Sequence, residues 1–382
     1  MFRDTNTASG HSSSATRARL NGGLPQLLDF FAGSGLVSEA LGPFFNLVWA
    51  NDIDPKKATV FCANHPSDVF HLGPIEQMRG SDVPCGTLSW ASFPCQDLSL
   101  AGNLRGIGAA RSGLVWQWLR VMDEMTIRPP IVVAENVSGL VSADKGEHYR
   151  MLHQALVLRG YRVGALELDA ERWVPQSRPR IFVVGVLPTV ETKGHEAQCP
   201  GWPHTPAIQK AAKGLDSWIW WNLPEPPMRT LALEQMVEVD TAPAEPQWSA
   251  HNMSLVPPRH LKRLREAVAA GRTVFPGYRR IRDGRQVLEL RFDGIAGCLR
   301  TAEGGSSWQF LVLRRNGGFG ARRLTVREAA RLMGVPDDYC IPGSRNQAYK
   351  ALGDAVAVPA VRYLGQHLLA PLANRIAAEV RA

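Results

Sequence analysis

The sequence predicts an α/β protein: a doubly wound, largely parallel sheet that carries an inserted second domain. Two observations support this. Over the first half, short apolar runs alternate with stretches of three-to-four helical spacing. After about residue 190 prolines, glycines, tryptophans and arginines become dense, and helical periodicity returns only toward the C-terminus.

The elements follow in order. Residues 1–23, rich in Ser, Thr, Gly and Arg and without an apolar stretch, are expected as a disordered tail rather than a signal peptide. "PQLLDFFAGSG" reads as a buried strand entering a glycine turn, and "VSEALG" as a helix stopped at Gly42 and Pro43. "FNLVWANDID", "TLSWASFP", "IVVAENV" and "IFVVGVL" read as further strands. "SGLVWQWLRVMDEM" and "EHYRMLHQALVLRG" read as amphipathic helices between them. This places a core at 24–190, a mostly irregular or β insert at 191–321, and a segment at 322–382 that returns to complete the core.

The chain has 382 residues, 45% hydrophobic and 20% charged, enough to bury a real core. No run of about 18 apolar residues appears, so no membrane span is expected. Cys62, Cys85, Cys95, Cys199, Cys298 and Cys340 contain no CxxC pair. They are therefore expected as reduced thiols of a cytoplasmic protein with no metal site. The net charge of +8 favours a polyanionic partner, weakly by itself.

In an open α/β sheet, ligands bind beyond the carboxyl ends of the strands. The first strand ends in Gly33 and Gly35, which let the backbone turn close to a ligand, although an ordinary strand–helix turn would look the same. Ser38 stands where a dinucleotide fingerprint needs a third glycine. Asp52 follows roughly twenty residues on, where a carboxylate would hold ribose hydroxyls. Phe31 and Ile53 are placed to sandwich an adenine. A nucleoside without pyrophosphate, such as S-adenosylmethionine, suits this turn better than NAD. Asp54 precedes Pro55 and reads as a helix cap.

The same expected ligand edge also holds reactive groups. Cys95 sits in a loop at a strand end; most free cysteines are packing, but Pro94, Gln96 and the glycine-containing "LAGNLRGIG" mark a functional loop. Glu135 and Asn136 end another strand, where a Glu is either solvated or a general acid. Gln176, Arg178 and Arg180 precede a strand. Two arginines at i and i+2 of an extended segment point the same way, though alone they would be a surface pair.

The motifs "DFFAGSG", "ANDID", "FPCQ", "AENV", "PQSRPR", a variable region, "RRLTVREAARLMGVPDDY" and "ALGDAVAVP" occur in an order that resembles the DNA (cytosine-5) methyltransferase family, from about residue 25 to 370. The resemblance implies a Rossmann-like methyltransferase core that uses S-adenosylmethionine and an insert that reads duplex DNA. It implies that Cys95 is a nucleophile adding to C6 of a flipped-out cytosine. Glu135 would contact N3 and the exocyclic amine, and Arg180, with Arg178 beside it, would hold O2 and the active-site loop. Asp29, Phe31, Ala32, Gly33, Gly35, Asp52, Ile53, Pro94, Leu114, Asp354 and Val356 would line the cofactor. Gln96, Ser99, Gln176 and Thr301 would touch DNA, and Leu98–Gly108 would close over the flipped base. The expected setting is bacterial or phage restriction and modification, as a monomer beside a cognate restriction endonuclease.

The chain departs from the family pattern at three positions. Pro74 replaces the acid expected at the adenine amine, Asp354 replaces an asparagine, and Leu36 replaces a common glycine. The abundant arginines of the insert suit phosphate contact and guanine readout, while its tryptophans read better as core. An RNA cytosine-5 methyltransferase is the alternative; the long insert argues for DNA. A non-enzymatic DNA-binding paralogue is a second, kept open by Pro74 and opposed by intact Cys95, Glu135 and Arg180.

Overall fold

The computed structural model describes residues 23–94, 113–238, 244–300, 308–315 and 318–376. Its centre is a seven-stranded sheet ordered β3-β2-β1-β4-β5-β7-β6. The strands are β1 (Gln26–Phe30), β2 (Asn46–Asp52), β3 (Phe70–Leu72), β4 (Leu88–Ala91), β5 (Ile131–Asn136), β6 (Arg162–Asp169) and β7 (Pro179–Val186). β1 through β5 pair in parallel, and β7 runs antiparallel to both β5 and β6. Strand order reverses direction at β1, flanked by β2 and β4, so the main ligand crevice of such a sheet opens beyond Phe30.

The apolar runs explain the layers. β5 is buried at all six positions because helices cover both faces of the sheet. The helix Leu114–Glu124 buries Trp118, Leu119 and Met122 on one face, joined there by the helix Glu147–Val157 with Tyr149 and Leu152. The helices Leu36–Leu41 and Val358–Leu364 cover the other face. Asp54 caps the helix Pro55–Cys62 by accepting from the Lys56 N–H at 2.9 Å, as its position before proline predicted.

The C-terminal segment docks back onto the core through capped helices. Thr325 and Glu328 form a reciprocal capping box on Val326–Leu332, and Ser344 and Gln347 form one on Arg345–Asp354. Arg362 reaches Glu39 of the helix Leu36–Leu41 at 3.6 Å, fastening the last helices beside the first.

The insert is more regular than its composition implied. β10 (Val274–Arg282), β11 (Arg285–Leu290), β12 (Gln309–Arg315) and β13 (Gly318–Arg323) form an antiparallel sheet ordered β11-β10-β12-β13. Pro276, Gly277 and the clustered arginines obscure the alternation that would have revealed it. The helices Pro246–Ser254 and Pro258–Ala269 pack on this sheet, with Leu264 wholly buried. Residues 195–223 belong with the large sheet. β8 (Glu196–Ala197) pairs with β9 (Trp220–Trp221), Ile219 N–H donates to Val163 of β6 at 3.0 Å, and the Trp221 indole donates to the Val184 carbonyl at 3.2 Å. The separate four-stranded sheet of the insert therefore begins well after residue 191.

Candidate active site

β1 leaves the sheet through a strained turn. Phe31 adopts φ 57°, a left-handed conformation unusual for a residue with a side chain, and Gly33 and Gly35 follow at φ 56° and 81°. A Cβ on Gly35 would lie 2.5 Å from the His65 ring, so only glycine fits. A Cβ on Gly33 would meet nothing nearer than 3.9 Å and would project into open space. Asp52 at the end of β2 accepts from Gly33 N–H at 2.9 Å and from Asp54 N–H at 2.8 Å.

This turn lines a cleft of about 1080 Å³, large for a single small ligand. Phe31, Ala32, Gly33, Asp52 and Ile53 stand along one end; Leu114, Pro74, Asp354 and Val356 close around them. Ile53 is 66% exposed at the cleft, an apolar side chain that a flat ring would cover. The open space over Gly33, the Asp52 carboxylate and the bare Ile53 together fit an adenosine-bearing cofactor.

Pro94, Glu135 and Arg180 line the other end of the same cleft. Glu135 is buried, and Arg180 Nε lies 3.1 Å from its carboxylate. Asn136 donates to the Phe93 carbonyl at 3.0 Å, pinning the chain as it leaves β4 toward position 95. Cys95, Gln96, Ser99, Thr301 and the expected closing loop Leu98–Gly108 lie outside the described residues.

Four expected contacts stand elsewhere. Arg178 is 1% exposed and is absent from the cleft wall. Its guanidinium donates to the carbonyls of Leu299 and Gly353 at 2.8 Å, to that of Ala355, and to the Cys298 sulfur at 3.2 Å. β7 begins at Pro179, so Arg178 precedes the strand and the two-residue alternation does not relate it to Arg180. Burial, then the charge of Arg180, pulls its pKa down to about 10. Gln176 is fully buried; its amide donates to the Leu332 carbonyl at 2.6 Å and accepts from Leu299 N–H at 3.0 Å, so both ends of the amide are held inside the protein. Both residues fasten the core to the insert and the C-terminal segment. Asp29, behind the glycine turn, and Gly35, within it, are absent from the cleft wall. Asp29 accepts from the Ser38 hydroxyl at 2.7 Å, and burial raises its carboxyl to about 7 despite that bond.

The structure also brings in side chains to which the motifs gave no role. Tyr339 donates to the Ser34 carbonyl at 2.6 Å, Ser34 donates to the Ala351 carbonyl at 3.2 Å, and His65 Nε2 lies 3.0 Å from the Gly35 carbonyl. Lys57 pairs with Asp354 at 2.7 Å, and both line the cleft. Cys298 lines it too and brings a thiol to the wall. No signal in the local sequence separates these from ordinary surface or core residues.

The four-stranded sheet of the insert carries a basic and aromatic array. Arg279 lies over Phe310 at 5.2 Å, Phe310 stacks on Trp248 at 5.7 Å, and Arg323 lies over Trp308 at 4.7 Å. Burial and the charges of Arg279 and Arg345 hold Arg323 below its ordinary pKa.

A family model for the C-5 cytosine-specific DNA methylases matches residues 26–370. The chain is 25% identical to the type II methyltransferase M.Bsp6I of Bacillus sp. (strain RFL6), covering 90% of this chain and 98% of that protein. It is 26% identical to the type II methyltransferase M.NlaX of Neisseria lactamica, covering 91% and 97%. Among solved structures, the S. pombe Dnmt2 methyltransferase superposes with a TM-score of 0.58 at 18% identity, covering 92% of this chain and 98% of that one. That likeness concerns the fold.

Proposed function

As a member of the C-5 cytosine-specific DNA methylase family the chain is a DNA cytosine methyltransferase, and we propose that it methylates C5 of a flipped-out cytosine in duplex DNA through a covalent bond from Cys95 to C6. The observation that carries this reading is one cleft lined both by Gly33, Asp52 and Ile53 and by the ion-paired Glu135 and Arg180.

S-adenosylmethionine supplies an electrophilic methyl group. The remaining work belongs to the chain. Asp52 holds the ribose hydroxyls, and Ile53 covers the adenine. Cys95 follows Pro94, which lines the cleft, and its thiolate attacks C6. Glu135 hydrogen-bonds N3 and the exocyclic amine, stabilising the charge that builds on the ring. Arg180 holds Glu135 in place and reaches for O2 of the base. C5, made nucleophilic by that attack, takes the methyl group; loss of its proton then expels the Cys95 sulfur and restores the ring. Because the reacting atoms of a paired base are out of reach, the base leaves the helix.

The arginines of the recognition sheet, Arg279 and Arg323, meet DNA phosphates there. Their stacking on Phe310 and Trp308 fixes the guanidinium planes and leaves N–H groups to donate. The context is bacterial or phage restriction and modification.

Incubation with labelled S-adenosylmethionine and mixed-sequence duplex DNA gives 5-methylcytosine, and a 5-fluorocytosine duplex traps an adduct that maps to Cys95. Methylation by Cys95→Ala, or an adduct on Cys298, would overturn the assignment.

A further inference from the structure

Lys57 and Asp354 reach the cleft from distant parts of the chain. Lys57 lies on the helix Pro55–Cys62, and Asp354 is the last residue of the helix Arg345–Asp354. Their charged atoms meet at 2.7 Å, with side chains 17% and 32% exposed. The pair borders the space above the glycine turn: the groups nearest a Cβ placed on Gly33 include the Lys57 side chain at 3.9 Å and the Asp52 carboxylate at 4.0 Å.

The rest of the cleft is already allotted. Ile53 and Pro74 stand where the adenine goes, and Asp52 stands where the ribose goes. The sulfur must look toward Glu135 and Arg180, where the target base is held. The amino-acid arm branching from that sulfur is the part left without partners. It is a zwitterion: its carboxylate needs a cation, its ammonium needs an anion, and neither leaves water cheaply without one. An ion pair on the cleft wall supplies both signs within one side chain's width.

We propose that Lys57 and Asp354 form the subsite for the amino-acid arm of the cofactor, the Lys57 ammonium meeting the arm's carboxylate and the Asp354 carboxylate meeting its ammonium. This rests on the S-adenosylmethionine reading above. The Asp at position 354 and the lysine at 57 then act as one unit, and the charge at 354 is useful because Lys57 balances it.

Calorimetric titration of the full-length protein tests this with two stable probes. S-adenosylhomocysteine carries the arm; 5′-methylthioadenosine has the same adenine, ribose and thioether without it. In Lys57→Met, S-adenosylhomocysteine weakens by about tenfold while 5′-methylthioadenosine stays within about twofold, as expected for the loss of one charge-assisted contact. Asp354→Asn retains a hydrogen-bonding amide and weakens S-adenosylhomocysteine by a smaller, still selective factor; it is the informative variant if Lys57→Met folds poorly. Equal weakening of both probes would mean the pair is only a latch between helices, and unchanged S-adenosylhomocysteine binding would place the arm elsewhere; either overturns the proposal. If the unaltered protein binds 5′-methylthioadenosine as tightly as S-adenosylhomocysteine, the arm subsite falls while the cofactor reading stands. If it binds neither, the cofactor reading falls as well.

Discussion

At the cofactor end of the cleft, backbone does most of the holding. Gly33 N–H binds Asp52, and the carbonyls of Ser34 and Gly35 are met by Tyr339 and His65. At the base end, side chains do it: Glu135 leans on Arg180, and behind that wall Arg178 gathers carbonyls from three chain positions. The first end depends on where the chain can bend, the second on which functional groups survive burial. Substitutions should therefore separate binding from chemistry according to the end they strike.

The largest separation is expected at Glu135. Glu135→Gln keeps the shape and removes the carboxyl group that would donate toward N3 of the attacked ring. Turnover should fall by about 10²–10⁴, with S-adenosylhomocysteine affinity unchanged by titration. A parallel loss of affinity would show that the two ends are not independent.

Arg178 and Arg180 sharpen the contrast within the base end. Arg178→Met strips a charged donor from three buried carbonyls and should cost ~3–5 kcal/mol in urea unfolding. Arg180→Met is expected to leave the unfolding midpoint nearly unchanged and to lower kcat/KM. The reverse pattern would return Arg178 to the cleft.

These two arginines also mark how far the sequence could be read. The glycine turn was legible because Gly33 and Gly35 answer a backbone requirement, and Asp52, Glu135 and Arg180 because each closes or opens a strand of recognisable pattern. Arg178 was misplaced because the strand starts two residues before "IFVVGVL", at Pro179, which takes in Arg180 and leaves Arg178 outside it. Gln176 looked like a polar loop residue because the segments that bury it, around Leu299 and Leu332, come from more than 120 positions away. Lys57 lies on an amphipathic helix and looks solvated until Asp354 folds over it. Tyr339 closes the motif "RRLTVREAARLMGVPDDY", which gave it no role of its own. Long-range packing put these residues in the site, and local pattern does not encode it. The β-sheet of the insert was hidden for a different reason: arginines on its strands, recruited for the surface, blur the period-two alternation.

Asp29, behind the glycine turn, gives a smaller and pH-dependent effect. Burial raises its pKa from 3.8 to about 7, so between those values the folded chain holds a proton that the unfolded chain has released. Stability therefore falls as pH rises through this window. Asp29→Asn removes the slope. In urea unfolding the variant's advantage over the unaltered protein should be about 2–3 kcal/mol larger at pH 8 than at pH 5. An advantage independent of pH would mean that Asp29 is already neutral, or already ionised, in both states.

The least costly change tests whether the turn must be held from behind. Tyr339→Phe deletes one hydroxyl, the donor to Ser34, and leaves the ring packed against His65. A buried carbonyl then loses its partner, at about 1 kcal/mol. If the strained φ of Phe31 and the left-handed Gly33 and Gly35 are held by this strap, part of that loss appears as cofactor affinity. S-adenosylhomocysteine should then weaken a few-fold, with turnover at saturating cofactor preserved. If the loss appears only as a lower melting temperature, the turn holds its own shape, and the cofactor end is preorganised by Asp52 and its glycines without help from the C-terminal segment.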